Sequence, residues 1–210
     1  MAKTEAQIIA EIQRSLSDAA TATYSTALIH LCMRDALFTM AEYIPNICLA
    51  TVTTIAGTAE VNVGTAVLTN LLYGTTERSF EAVEFAVDKV PRKLRNFSVT
   101  AGKLIMDIDF SPSAGEHVRL YVKKPHECYD STGVASTTTL DTELERIMVK
   151  LTKGIVQEEY AANTINKVNI GGGKAYIDFL TAGSKSKADA INELKRVRKA
   201  QITIQHPREA

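Results

Sequence analysis

The chain has 210 residues, a 45% apolar share, and equal numbers of acidic and basic side chains, 24 of each. This length suits one medium domain, or two small ones sharing a core, with no need of disulfide staples. Zero formal charge excludes a general electrostatic attraction to nucleic acid or membrane, while leaving room for local patches.

The N-terminus opens directly on an amphipathic pattern, with no signal-peptide core, and no run approaches a membrane span; both predict a protein folded in a cytoplasm. From residue 3 to about 19, Ile8, Ile9, Ile12 and Leu16 recur at helical spacing among Glu5, Glu11, Arg14 and Asp18, predicting a short helix with a narrow apolar stripe. Tyr24, Leu28, Leu31, Cys32, Leu37 and Met40 carry the helical period on to about residue 43, where Pro45 closes it. This second stripe is wide enough for a central packing element.

Between residues 46 and 124 the period changes to alternation. LATVTTIAGTAEVNVG predicts two strands around a turn at Gly57 and Thr58. The stretch 66–87 reads as strand, loop or helical turn within the same β region, and Pro91, Arg92, Lys93 and Arg95 predict an exposed connection. The clearest alternation is FSVTAGKLIMDIDFSPSAGEHVRLYVKK, residues 97–124. Leu104, Met106, Ile108 and Phe110 share one face before the FSPSAGE turn, and Val118, Leu120 and Val122 share one after it. The pattern predicts an antiparallel hairpin with Asp109 facing Arg119. Four or five short strands are expected in all.

After a polar loop, Asp141 or Thr142 with Glu145 behind it supplies a helix start, and Asp141, Glu143 and Glu145 suit the positive end of the helix dipole. Leu144, Ile147, Met148, Leu151, Ile155 and Ala162 mark one face of a helix to about residue 164. NKVNIGGG interrupts, and a last helix starts near Lys174 with Tyr176, Phe179, Leu180, Ile191 and Leu194 inward and a bend or break at Gly183. Its later part carries Lys185, Lys187, Lys195, Arg196, Arg198 and Lys199 against Asp189 and Glu193, and the chain closes on QITIQHPREA. The predicted fold class is α+β, a bundle of about four helices with an antiparallel β unit inserted between the second and third. Residues 1–45 and 126–200 form the helical body, 46–125 the insert and 201–210 a C-terminal arm.

No catalytic or metal-binding set emerges from the residues. Asp107 and Asp109 resemble a carboxylate pair, but with no companion histidine or third carboxylate they read as a solvated strand face paired to Arg119 or Lys123. His117, His126 and Cys128 lack the spacing of a closed zinc set. Cys32, Cys48 and Cys128 are odd in number and widely spaced, which reads as small buried hydrophobes in a reducing compartment. Gly171 to Lys174 lacks the earlier glycine and following hydroxyl of a phosphate loop and reads as a turn. The basic cluster Lys195, Arg196, Arg198 and Lys199 has two readings, a solvated helix end or a docking surface for an acidic partner or nucleic acid. Ile202 and Ile204 beyond it alternate as they would in a peptide that adds to another protein's edge.

The order of elements, with the phrases RNFSV, KLIMDIDFSPSAGEHVRLYVKKPHE, STTTLDTELE and INKVNIGGGKAYIDFL, resembles the head-to-tail connector adaptor proteins of tailed bacteriophages and related prophages. The resemblance implies a non-enzymatic virion protein without cofactors. It would form a ring, typically of about twelve copies, beneath the portal, extending the DNA channel and meeting tail or stopper proteins. Portal docking would fall on Lys195, Arg196, Arg198, Lys199, Ile202 and Ile204. The β surface holding Asp107, Asp109, Arg119, Tyr121 and Lys123 would face neighbouring subunits or the tail. The implied location is the virion neck, reached by assembly in the host cytoplasm.

Overall fold

The computed structural model describes residues 3–18, 23–63, 71–85, 87, 93–128, 138–164 and 175–205. The chain divides into two compact units, a helical body of Met1–Ile44 with His126–Ala210 and a β unit of Pro45–Pro125. It is a mixed α+β chain, with four described helices and antiparallel strands inserted between the second and third.

In the body, α1 (Glu5–Ser15) starts at Thr4 with a capping box. Thr4 Oγ1 accepts from the Gln7 amide at 3.4 Å and Gln7 Oε1 from the Thr4 amide at 3.0 Å, so two amides at the helix start are satisfied locally. The α1–α2 connection is held by Asp18, whose buried carboxylate accepts from the amides of Thr23 and Tyr24. Ser25 caps α2 (Thr26–Tyr43), and Ile44 ends it just before Pro45. Asp141 Oδ1 accepts from the Leu144 amide at 2.8 Å at the start of α3 (Thr142–Thr164). One apolar core joins Ile8 and Ile12, Ile29, Cys32, Met33 and Met40, Ile147, Met148 and Leu151, and Leu194.

The fourth helix, α4 (Ala175–Gln205), runs through Gly183 without a break. A Cβ on Gly154 would lie 2.8 Å from the Gly183 carbonyl oxygen, and one on Gly183 would lie 2.8 Å from the Gly154 carbonyl oxygen. The two glycines therefore let α3 and α4 pass at backbone contact, and Gly183 serves packing where the sequence suggested a bend. The pairing is antiparallel, with Glu158 Oε2 3.0 Å from Lys187 Nζ and Glu193 Oε1 2.7 Å from Lys150 Nζ. Residues 201–205 belong to this helix, where the sequence pattern suggested an arm. Nothing in QITIQ stops a helix, and Pro207 disfavours helical backbone only at the residue before it. Residues 206–210 lie outside the described residues.

The β unit contains two antiparallel sheets around a second core. The first has the order β1 (Asn46–Thr53), β7 (His117–Lys124), β3 (Phe80–Phe85), β4 (Leu94–Arg95), and the second β2 (Glu60–Asn62), β6 (Lys103–Met106), β5 (Phe97–Thr100). The predicted hairpin across FSPSAGE does not form. Strand β6 pairs with β2 and β5, and β7 pairs with β1 and β3. Residues 107–116 instead carry the chain from one sheet to the other, and Thr54 anchors them. Its hydroxyl donates to the Ser113 carbonyl at 2.6 Å and accepts from the Glu116 amide at 3.1 Å. A tight hairpin does form at β5–β6, whose two-residue turn places Ala101 (φ 50°) and Gly102 (φ 75°) in the left-handed region. That geometry matches the twist of the flanking strands, and Ala-Gly is a weaker sequence signal for it than Asn-Gly.

Candidate interaction surfaces

On β7, Val118, Leu120 and Val122 are fully buried, so alternation leaves Arg119, Tyr121 and Lys123 on the outer face of the first sheet. The register sets Arg119 between Thr51 and Glu84, Tyr121 beside Leu49, and Lys123 beside Ile47. Glu84, only 2% exposed, accepts at Oε2 from the Tyr121 hydroxyl at 2.9 Å and from Arg119 Nη1 at 3.3 Å. Lys123 Nζ lies 2.7 Å from Glu81 Oε2. Among the described residues, Glu84 and Glu81 of β3 supply carboxylate partners to this face, where the sequence suggested Asp107 and Asp109. Beside the polar cluster, edge strand β1 leaves Ile47 44% and Leu49 63% exposed. The face is therefore a closed polar group flanked by bare apolar side chains.

Asp107 and Asp109 are exposed and follow the end of β6. The predicted five-residue β surface thus divides, with Arg119, Tyr121 and Lys123 on one sheet and the two aspartates in the segment that crosses between sheets.

In the body, Lys195, Arg196, Arg198 and Lys199 are all exposed on α4. Glu193, the acidic residue nearest them, is turned toward α3, where Lys150 Nζ lies 2.7 Å and Arg146 Nη2 3.3 Å away. Its carboxyl sits below the usual range, chiefly through the Lys150 hydrogen bond, with the Lys150, Arg146 and Arg196 charges adding. Arg146, whose side chain is 69% exposed, thereby joins the basic surface from a different helix. Sequence reasoning missed it because only the antiparallel packing of α3 on α4 brings it there. Ile202 and Ile204 fall in the last turn of α4.

Large apolar side chains are also left bare on the body. Leu31 and Phe38 of α2 are 55% and 50% exposed, and Ile177 and Leu180 of α4 are each 46% exposed. Leu31 and Leu180 were expected inside; Ile29 and Met33 on α2, and Ala190 on α4, take buried places instead.

Among the described residues, no three His, Cys, Asp or Glu side chains are grouped to hold a metal ion. Burial pushes the thiols of Cys32 and Cys128 up to about 11. His30 Nδ1 lies 2.9 Å from Glu5 Oε1, His117 is exposed, and His126 is buried with both ring nitrogens bonded. The Gly171 to Lys174 run and His206 lie outside the described residues. No described helix is long and apolar enough to cross a membrane. A scan against protein-family models finds no match, and a search of curated protein sequences finds no significant one.

Proposed function

We propose that the chain is a structural, non-catalytic adaptor of a tailed-phage virion, forming a homo-oligomeric ring that docks under the portal, extends the DNA channel and connects head to tail. The observation that carries this reading is the layout, four helices interrupted after the second by an antiparallel β unit, as the resemblance to connector adaptors implies. The exposed pairs Leu31 and Phe38, Ile177 and Leu180, and Ile47 and Leu49 support a protein that works by contact with other protein, because large apolar side chains bared together mark such surfaces. In this reading the basic end of α4 grips the portal, the β unit meets neighbouring subunits or the tail, and double-stranded DNA passes through without being held. The protein is then a neck component of the virion, built in the host cytoplasm.

Truncation after residue 200 tests the docking assignment. Attachment to the portal is expected to weaken while the circular dichroism of the remainder is unchanged; undiminished attachment moves the docking surface elsewhere. A second reading, a DNA-binding packaging accessory, draws on the four exposed α4 cations and on Arg146. It predicts that log affinity for duplex DNA falls with log salt by about 0.9 per phosphate neutralised, and salt-insensitive or absent binding removes it.

A further inference from the structure

The helical body holds a buried imidazole at the point where the chain returns to it. His126 is 6% exposed and is the first body residue after the β unit, as Ile44 is the last before it. His126 Nε2 lies 2.7 Å from the Ile44 carbonyl oxygen, and Nδ1 lies 3.2 Å from Thr139 Oγ1. A carbonyl only accepts, so Nε2 carries the hydrogen, and the neutral ring accepts the Thr139 hydroxyl at Nδ1. Thr139 Oγ1 also accepts from the Glu127 amide at 2.9 Å and has the Glu127 carbonyl 3.3 Å away as an alternative acceptor. The Thr139 amide donates to that same carbonyl at 3.0 Å. One ring thus ties the end of α2, the returning segment and the residues leading into the Asp141 cap of α3, and fixes side by side the two points where the chain leaves for and returns from residues 45–125.

We propose that His126 is an acid-released latch, which closes these connections when neutral and loosens them when a proton adds to Nδ1. Protonation breaks no covalent bond. The new Nδ1–H would meet the Thr139 hydroxyl hydrogen, which turns to the second lone pair of the Glu127 carbonyl, 3.3 Å away. The cost is a positive charge on a ring shut away from water. One carboxylate bears on it, that of the Asp141 cap, through its charge; Glu127, the next residue, meets the site through its backbone. Burial outweighs the bond to Ile44 and the attraction of Asp141, and holds His126 below the ordinary histidine value. Because the open form binds the proton more readily, the closed form is fully favoured above about pH 6.5 and loses ground as pH falls through the lowered folded value.

Hydrogen–deuterium exchange on the full chain at pH 7.5 and pH 5, corrected for intrinsic exchange rates, tests the latch. Amides of Ile44, Glu127 and Thr139 are expected to lose protection in acid, by up to about tenfold for each pH unit that the folded value lies below the free one. In His126→Gln, whose side-chain amide can still donate to the Ile44 carbonyl but does not titrate, that acid loss is expected to disappear. Equal acid loss in both proteins, or none in the wild type, overturns the proposal. The His126 Cε1–H titration in the wild-type protein is independent of how well the variant folds. A midpoint below the ordinary histidine value is expected, and one at or above it also overturns the latch.

Discussion

The helical body and the β unit assemble by different rules. In the body, the starts of α1, α2 and α3 are settled within three residues, by Thr4 with Gln7, Ser25 with Leu28, and Asp141 with Leu144. In the β unit, β7 takes its neighbours from Asn46–Thr53 and Phe80–Phe85, and its direct predecessor β6 lies in the other sheet. Local chemistry fixes where a helix begins, whereas the partner of a strand depends on segments far away in the chain and on what the intervening loops are tied to.

The largest effects expected from this contrast come from the two cores. Leu120→Ala in the β unit and Leu151→Ala in the body remove fully buried side chains from separate apolar clusters, each costing about 2–5 kcal/mol. Hydrogen exchange is expected to show protection lost in β1, β3 and β7 for the first and in α2 and α3 for the second. Collapse of both units together in either variant would contradict two separate cores.

A smaller loss is expected at the helix crossing. Gly154→Ala puts a methyl group against the Gly183 carbonyl and the Lys187 amide, each 2.8 Å away, and about 1–3 kcal/mol of overpacking follows. Thermal unfolding unchanged from wild type would mean that α3 and α4 are not in backbone contact.

The strand register is decided by a double-mutant cycle. Glu84 and Arg119, joined at 3.3 Å, are expected to couple by about 0.5–3 kcal/mol, whereas Asp109 and Arg119 should be additive within about 0.3–0.5 kcal/mol. Coupling to Asp109 and not to Glu84 would restore the hairpin read from the sequence. At the small end, Thr4→Ala removes a helix cap and is expected to cost about 1 kcal/mol in urea unfolding; no change would mean that the capping box adds nothing in the folded body.

These differences explain what was legible in the sequence. The helical periods, the insertion of a β unit and the buried face of β7 follow from spacing, because Ile8 and Ile12, or Val118, Leu120 and Val122, announce a face without reference to any partner. The phase of a mixed helix is harder, since α2 is apolar on more than one side and only packing separates Ile29 and Met33 from Leu31 and Phe38. The β6–β7 pairing was misread because alternation on both sides of a turn is equally consistent with strands in two stacked sheets. The arrangement is set by the distant partners β1 and β2 and by bonds from Thr54 and Gly57 to the crossing segment, and partners over forty residues away leave no local signal. The exposed cations of α4 were readable from the sequence; Arg146, which reaches them through Glu193, was not.

Electron microscopy of the purified protein mixed with the portal of the same virus tests the proposed role most directly. Rings of the protein seated coaxially on the portal are the expected image, and a chain that stays monomeric and never associates with the portal contradicts it.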